Sequence, residues 1–183
     1  KKLGFQEGTS LFGAPYDWRF FPLPEWITAT RQLIEDAVAK TGRRAIVVAH
    51  SLAGPYSYEM LMAQDEAWRK KYVEHWVPLA PVMTGTPIAA FMLVSKSFTN
   101  ITLVIKYAEP MFMAGKNYGT GSDVFFRSDK RAYTVDDFPE LMDRMAIPHG
   151  RVLFQRAQAF YDRTQLRHPG VQTTAFVSHG YPT

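Results

Sequence analysis

The sequence predicts an α/β fold, a mostly parallel, doubly wound sheet with helices on its faces. Three observations lead there. Short β-branched apolar runs alternate with stretches of helical periodicity, in the order strand, helix, strand, helix, strand, with short connections. The clearest of these runs, Ala45 to Ala49, leads through His50 to a serine with small residues two positions either side, and a helical pattern follows at once. Finally, 183 residues with 46% hydrophobic content can bury one sizeable core, so a single domain spanning 1–183 is expected.

Taken in order, Ser10 to Tyr16 is a short apolar segment closed by Gly13 and Pro15, read as a buried strand that delivers Asp17, Trp18 and Arg19 into a loop. A helix begins at Pro24: Ile27, Leu33, Ile34, Ala37 and Val38 recur at helical spacing, Arg31 and Glu35 form a polar pair, and Gly42 is a natural stop. Ala45 to Ala49 is the next strand. After Ser51 a second helix runs to about Ala63, and Asp65 to Lys71 reads as charged and exposed. Val73 to Leu79 is another strand, ended by Pro81. From Thr84 to Val124, Pro87, Pro110, Gly115, Gly119 and Gly121 interrupt patches rich in Phe and Met, read either as a candidate lid (84–124) that would expose Phe91, Met92, Leu93, Met111, Phe112 and Met113 when open, or as irregular packing against the core. Thr134 to Met145 and Leu153 to Leu166 read as helices, and Val171 to Val177 as a returning strand.

The string Ala49-His50-Ser51-Leu52-Ala53 has the shape of a nucleophile elbow. A strand that turns this sharply into a helix strains the serine backbone, and side chains two residues either side collide unless small. Ala49 and Ala53 meet that demand. In such a turn Ser51 Oγ stands clear of the sheet, and the backbone N–H of Leu52, at the helix start, points toward a developing oxyanion. Ser51 is the candidate catalytic nucleophile for attack on an acyl carbonyl, with Leu52 as oxyanion donor. His50, one residue away on the strand, faces the opposite side and is read as a packing or hydrogen-bonding histidine.

Composition excludes other classes. Twenty-one Lys and Arg against seventeen Asp and Glu give +4, spread without a basic block, so no nucleic-acid partner is expected. The absence of cysteine excludes internal disulfides and thiolate metal sites, and the histidines at 50, 75, 149, 168 and 179 show no ligand-type spacing. No metal and no cofactor are implied. Asn100-Ile101-Thr102 fits the glycosylation sequon. The longest uninterrupted apolar run, Ile88 to Val94, is far short of the ~20 residues of a membrane-spanning helix, so a soluble or peripheral segment is expected.

Several stretches together resemble the lecithin:cholesterol acyltransferase and lysosomal phospholipase A family. Gly13 to Arg19, G-A-P-Y-D-W-R, is similar to its hallmark segment, and Ala49-His50-Ser51 to its A-H-S elbow. Ala67 to Val73 resembles the family's A-W-x-x-K-Y segment, and Pro169-Gly170-Val171 and Gly180-Tyr181-Pro182-Thr183 resemble its P-G-V strand and G-x-P-T turn. The resemblance implies an α/β-hydrolase fold, an acyl-enzyme on Ser51, a glycerophospholipid donor, and water or a lipid alcohol as acceptor. It also implies a secreted or lumenal location (vacuole, lysosome or secretory organelle) and peripheral attachment to a membrane or lipoprotein surface. In the family the triad acid and histidine lie beyond the G-x-P-T turn, and the second oxyanion donor lies upstream of the hallmark. Lys1-Lys2 opens the sequence without an initiator methionine. The expectation is therefore a processed or partial chain whose catalytic Asp and His come from a second chain or a missing segment.

Three departures bear on that expectation. Ala80-Pro81-Val82-Met83-Thr84-Gly85 stands where the family has G-A-P-W-G-G, without the tryptophan that helps line the acyl pocket. Ala175 replaces a cysteine, and Ala53 a glycine. Within the chain, His179 is the best-placed histidine for a base, Asp17 reads as a structural acceptor, and His149 and His168 fall in loops. The alternative function is a catalytically inactive lipid-binding module that keeps the elbow.

Overall fold

The computed structural model describes residues 3–18, 20, 22–83, 126–127, 132–144, 151–152, 154–155 and 167–177. The chain divides into two compact units, one of 1–17, 22–81 and 167–183, the other of 18–21 and 82–166.

In the first unit, helix α1 spans Pro24–Thr41. Pro24 occupies the first turn, where its missing N–H costs nothing and its fixed φ suits the helix. The helix stops at Gly42, whose φ of 66° lets its N–H turn back to Val38 O at 2.8 Å. The predicted Arg31–Glu35 pair forms, at 2.9 Å. Strand β1, Ala45–His50, runs parallel to β2, Val73–Leu79, in a register that sets Val47 beside Trp76, Ala49 beside Pro78 and His50 beside Leu79. A short strand at Gln172–Thr173, β5 in chain order, adds to the far side of β2, also parallel. The order β1-β2-β5 is the parallel sheet the alternating pattern predicts.

Paired residues of a sheet share a face. Val47, Ala49, Trp76 and Pro78 therefore point one way, and helix α2, Ala53–Met62, lies on that face, since Trp76 Nε1 donates to Ser57 Oγ at 2.9 Å. Tyr56, Tyr58, Met60 and Leu61 of α2 are all buried, as an apolar helix laid on a sheet requires. The other face carries Ile46, Val48, His50 and Phe176, all exposed.

Asp65 to Lys71 is not merely an exposed charged stretch. Helix α3 spans Glu66–Tyr72, and Asp65 caps it by accepting from Trp68 N at 2.7 Å. Trp68 is buried and its Nε1 donates to Glu35 Oε1 at 2.6 Å, tying α3 to α1. Arg69 reaches back to the end of α2, donating to Leu61 O at 3.2 Å and to Gln64 O, where a cation suits the helix C-terminus. Ser10 to Tyr16 also differs from expectation. It forms no strand: Leu11 closes a turn through Gly8 N at 2.9 Å, and the residues up to Pro15 are mostly exposed.

In the second unit, β3 (Phe126–Arg127) pairs antiparallel with β4 (Ala132–Tyr133). A 3-10 turn, Val135–Asp137, leads into helix α4, Phe138–Arg144, as the pattern from Thr134 predicts. Asp137 Oδ2 accepts from Thr134 N at 2.7 Å, reaching back three residues to tie the start of the 3-10 turn. The proposed lid at 84–124, the Asn100 sequon, His149, His179 and most of Leu153 to Leu166 lie outside the described residues.

Candidate active site

Ser51 follows directly on the last residue of β1, and its φ is 53°. A residue with a Cβ pays roughly 1–2 kcal/mol for this left-handed conformation, so the surroundings must hold it there. They do so through both backbone groups. Ser51 N–H donates to Leu79 O at 2.9 Å, prolonging the β1–β2 ladder by one step, and Ser51 O accepts from Gly54 N at 2.9 Å, opening the helix. Leu52 is already helical, with φ −60° and ψ −25°, and α2 starts at Ala53. The reversal is completed within two residues. Ala49 is buried beneath it, and any larger side chain there would meet the closely packed sheet face.

Helix α2 has no side-chain cap. Its first-turn donors are Leu52, Ala53 and Gly54; Gly54 N–H is taken by Ser51 O, Pro55 has none, and the N–H of Leu52 has no backbone partner among the described residues. An N–H beside Ser51 at a helix N-terminus, without such a partner, is chemically suited to an anion. Ser51 and Leu52 are both half-buried, reachable but partly desolvated.

The remaining candidates are placed as follows. His50 lies on the opposite strand face from Ala49, as alternation predicts, but it is exposed and not packed, like Ile46 and Val48 of the same row. His75 Nε2 is hydrogen-bonded to Thr174 Oγ1 at 2.8 Å, and His168 Nδ1 accepts from Gly170 N at 3.1 Å. Asp17 is exposed. Among the described residues no histidine or carboxylate is hydrogen-bonded to Ser51 Oγ, and no group of three or more His, Cys, Asp and Glu is arranged to hold a metal ion.

The Gly13 to Asp17 segment is fixed to the helices by aromatic contact. Tyr16 stacks against Tyr56, with centroids 4.3 Å apart, and Trp26 meets both rings edge-on at 6.3 and 5.9 Å. Trp26 Nε1 donates to Pro15 O at 2.9 Å. Burial pushes the Tyr16 phenol above its ordinary pKa, so it stays neutral at physiological pH. This cluster joins the segment to the first turn of α2, five residues beyond Ser51. Sequence reading passed over Trp26 and Tyr56, and also Ser57 and Trp76. The available signal was a serine inside the mostly apolar helix Ala53–Met62, since a buried hydroxyl needs a partner.

A parallel sheet whose strand ends in a left-handed serine and turns at once into a buried helix defines an α/β protein of the elbow type. The family model for lecithin:cholesterol acyltransferase matches residues 1–167, and the chain belongs to that family, with the α/β-hydrolase fold this entails. The lysosomal phospholipase A and acyltransferase of Bos taurus is 26% identical over 98% of this chain and 47% of its own length. The phosphatidylcholine-sterol acyltransferase of Mus musculus is 24% identical over 98% of this chain and 43% of its own. A lecithin-cholesterol acyltransferase-like 1 protein of Oryza sativa subsp. japonica is 38% identical over 45% of this chain and 21% of its own. All three are named for enzymes. The chain thus spans a little under half the length of the relatives that match it throughout.

Proposed function

We propose that this chain carries the nucleophile of a serine phospholipase or acyltransferase. Ser51 Oγ attacks the carbonyl of a fatty acyl ester in a glycerophospholipid, the Leu52 N–H receives the oxyanion, and the acyl group passes from Ser51 to water or a lipid alcohol. The observation that carries this reading is the φ of 53° at Ser51, between a strand and a helix N-terminus, in a chain of this family. Backbone strain at a half-buried serine is a common mark of a working site.

The acid and base that would activate Ser51 are proposed to come from outside these 183 residues, from another segment or a second chain. A serine without a base remains a neutral hydroxyl, and general-base assistance is worth ~10²–10⁴-fold. The substrate places the protein at a lipid surface, peripherally, and the lysosomal relatives favour a lumenal or secreted setting. No helix among the described residues is long and apolar enough to cross a membrane.

A fluorophosphonate probe tests the assignment. The natural protein that contains this chain labels at Ser51, and Ser51→Ala abolishes labelling and phospholipid turnover while the protein remains folded. Undiminished labelling of Ser51→Ala refutes it.

A further inference from the structure

A buried line of hydrogen bonds runs from the sheet core to the first turn of α2. Trp76, in the middle of β2 and 5% exposed, donates from Nε1 to Ser57 Oγ at 2.9 Å. Ser57, 8% exposed, donates in turn to Gly54 O at 2.9 Å. Gly54 N–H then donates to Ser51 O at 2.9 Å. Each group along the line is satisfied by the next, and the line ends on the carbonyl of the strained residue.

We propose that Ser57 and Trp76 are positioning residues for Ser51, an inference that rests on the reading of Ser51 as nucleophile and deepens it. A left-handed serine tends to relax toward the extended or right-handed regions, and it is held only from its two backbone bonds. The bond to Leu79 O is anchored by the sheet. The bond from Gly54 N belongs to the first helical turn, the part of a helix most prone to fray, and here it has neither a capping side chain nor an N–H at Pro55. Ser57 does not replace the cap, but it adds a second tie: its hydroxyl donates to the Gly54 carbonyl three residues back, so the first turn is pinned from its inner side. Trp76 sets which way that hydroxyl points. By giving its indole N–H to Ser57 Oγ, it leaves the serine proton free only to be donated, and the nearest acceptor is Gly54 O. The indole itself is held by the ring of Tyr58, with centroids 6.0 Å apart.

This arrangement couples three elements by one route. Trp76 belongs to β2, the same strand whose Leu79 carbonyl receives Ser51 N–H. Strand β2 therefore grips the serine from both sides, directly at its N–H and through Ser57 and Gly54 at its C=O. The Leu52 N–H, lying between those two grips, is aimed by the same constraint.

The test uses the natural protein containing this chain and measures, per folded molecule, the fluorophosphonate labelling rate and the kcat and KM for a short-chain ester. Ser57→Ala and Trp76→Phe are each expected to lower labelling rate and kcat about tenfold, in keeping with the steep cost of small misplacements at a reacting atom, with KM little changed. The Ser57→Ala, Trp76→Phe double variant loses no more than Ser57→Ala alone, since both break one line, and Ser57→Thr, which keeps the hydroxyl, restores most of the rate. Variants with a lowered melting temperature but unchanged kcat and labelling per folded molecule, or losses that multiply in the double variant, overturn the positioning role. Full labelling of Ser51→Ala would instead overturn the nucleophile reading, whatever the two positioning variants do.

Discussion

Replacing Ser51 by glycine should make the protein more stable than replacing it by alanine, although both remove the hydroxyl. The reason is the φ of 53°. Alanine keeps a Cβ and with it the steric cost of the left-handed region, roughly 1–2 kcal/mol. Glycine relieves that cost but enlarges the conformational freedom of the unfolded chain, worth about 0.4–1 kcal/mol against it. Both variants retain the Ser51 N–H to Leu79 O and Gly54 N–H to Ser51 O bonds, so these cancel in the comparison. The net gain for glycine is about 0.5–1 kcal/mol, and a chain of this size moves its melting temperature by about 2–4 °C per kcal/mol. Ser51→Gly should therefore melt some degrees above Ser51→Ala, and urea unfolding should give the same order with an unchanged slope. Ala80, which follows β2 with φ 42°, offers a control at a left-handed residue that carries no hydroxyl: Ala80→Gly should stabilise by a similar amount. If Ala80→Gly stabilises and Ser51→Gly melts at or below Ser51→Ala, the serine is not strained, and the elbow loses the observation on which it stands.

Two further outcomes follow from the first unit. The hydrogen bonds from Arg31 and, next in weight, Trp68 hold the Glu35 carboxyl below the ordinary glutamate pKa. A carboxylate depressed in the folded state contributes stability that is present above its unfolded pKa and lost as pH falls through its folded one; the melting-temperature gap between wild type and Glu35→Gln should thus narrow from pH 7 to pH 3, and a constant or widening gap refutes the ion-paired role. Ile46 and Val48 are 57% and 60% exposed, and Phe176 57%, on one sheet face by register. The 183-residue polypeptide alone should bind a hydrophobic dye and self-associate, both reduced by Ile46→Lys with Val48→Lys; a monomer that binds no dye contradicts the exposed face.

What could be read in the sequence, and what could not, divides along one physical line. Elements whose signal is local were legible. Pro24, the apolar spacing and Gly42 bound α1 because capping and periodicity act within a few residues, and Ala49-His50-Ser51-Leu52-Ala53 announces its turn because steric crowding two residues either side leaves little choice of size. Charge misled at Asp65 to Lys71, where a capping aspartate and the single buried Trp68 make a helix that composition presents as surface. Ser10 to Tyr16 misled the other way: it forms no strand, and its anchoring comes from Tyr16, Trp26 and Tyr56, brought together from three separate segments. The Trp76 to Ser57 bond is of that second kind. It joins residues 19 apart in sequence and depends on the register that puts Trp76 beside Val47, hence on the same face as α2. Alternation along β2 says only that Trp76 is buried; which hydroxyl it meets is decided by how far α2 has turned when it crosses the strand. The turn at Ser51 is thus written in five consecutive residues, while what holds its geometry is written in the packing of a helix on a sheet.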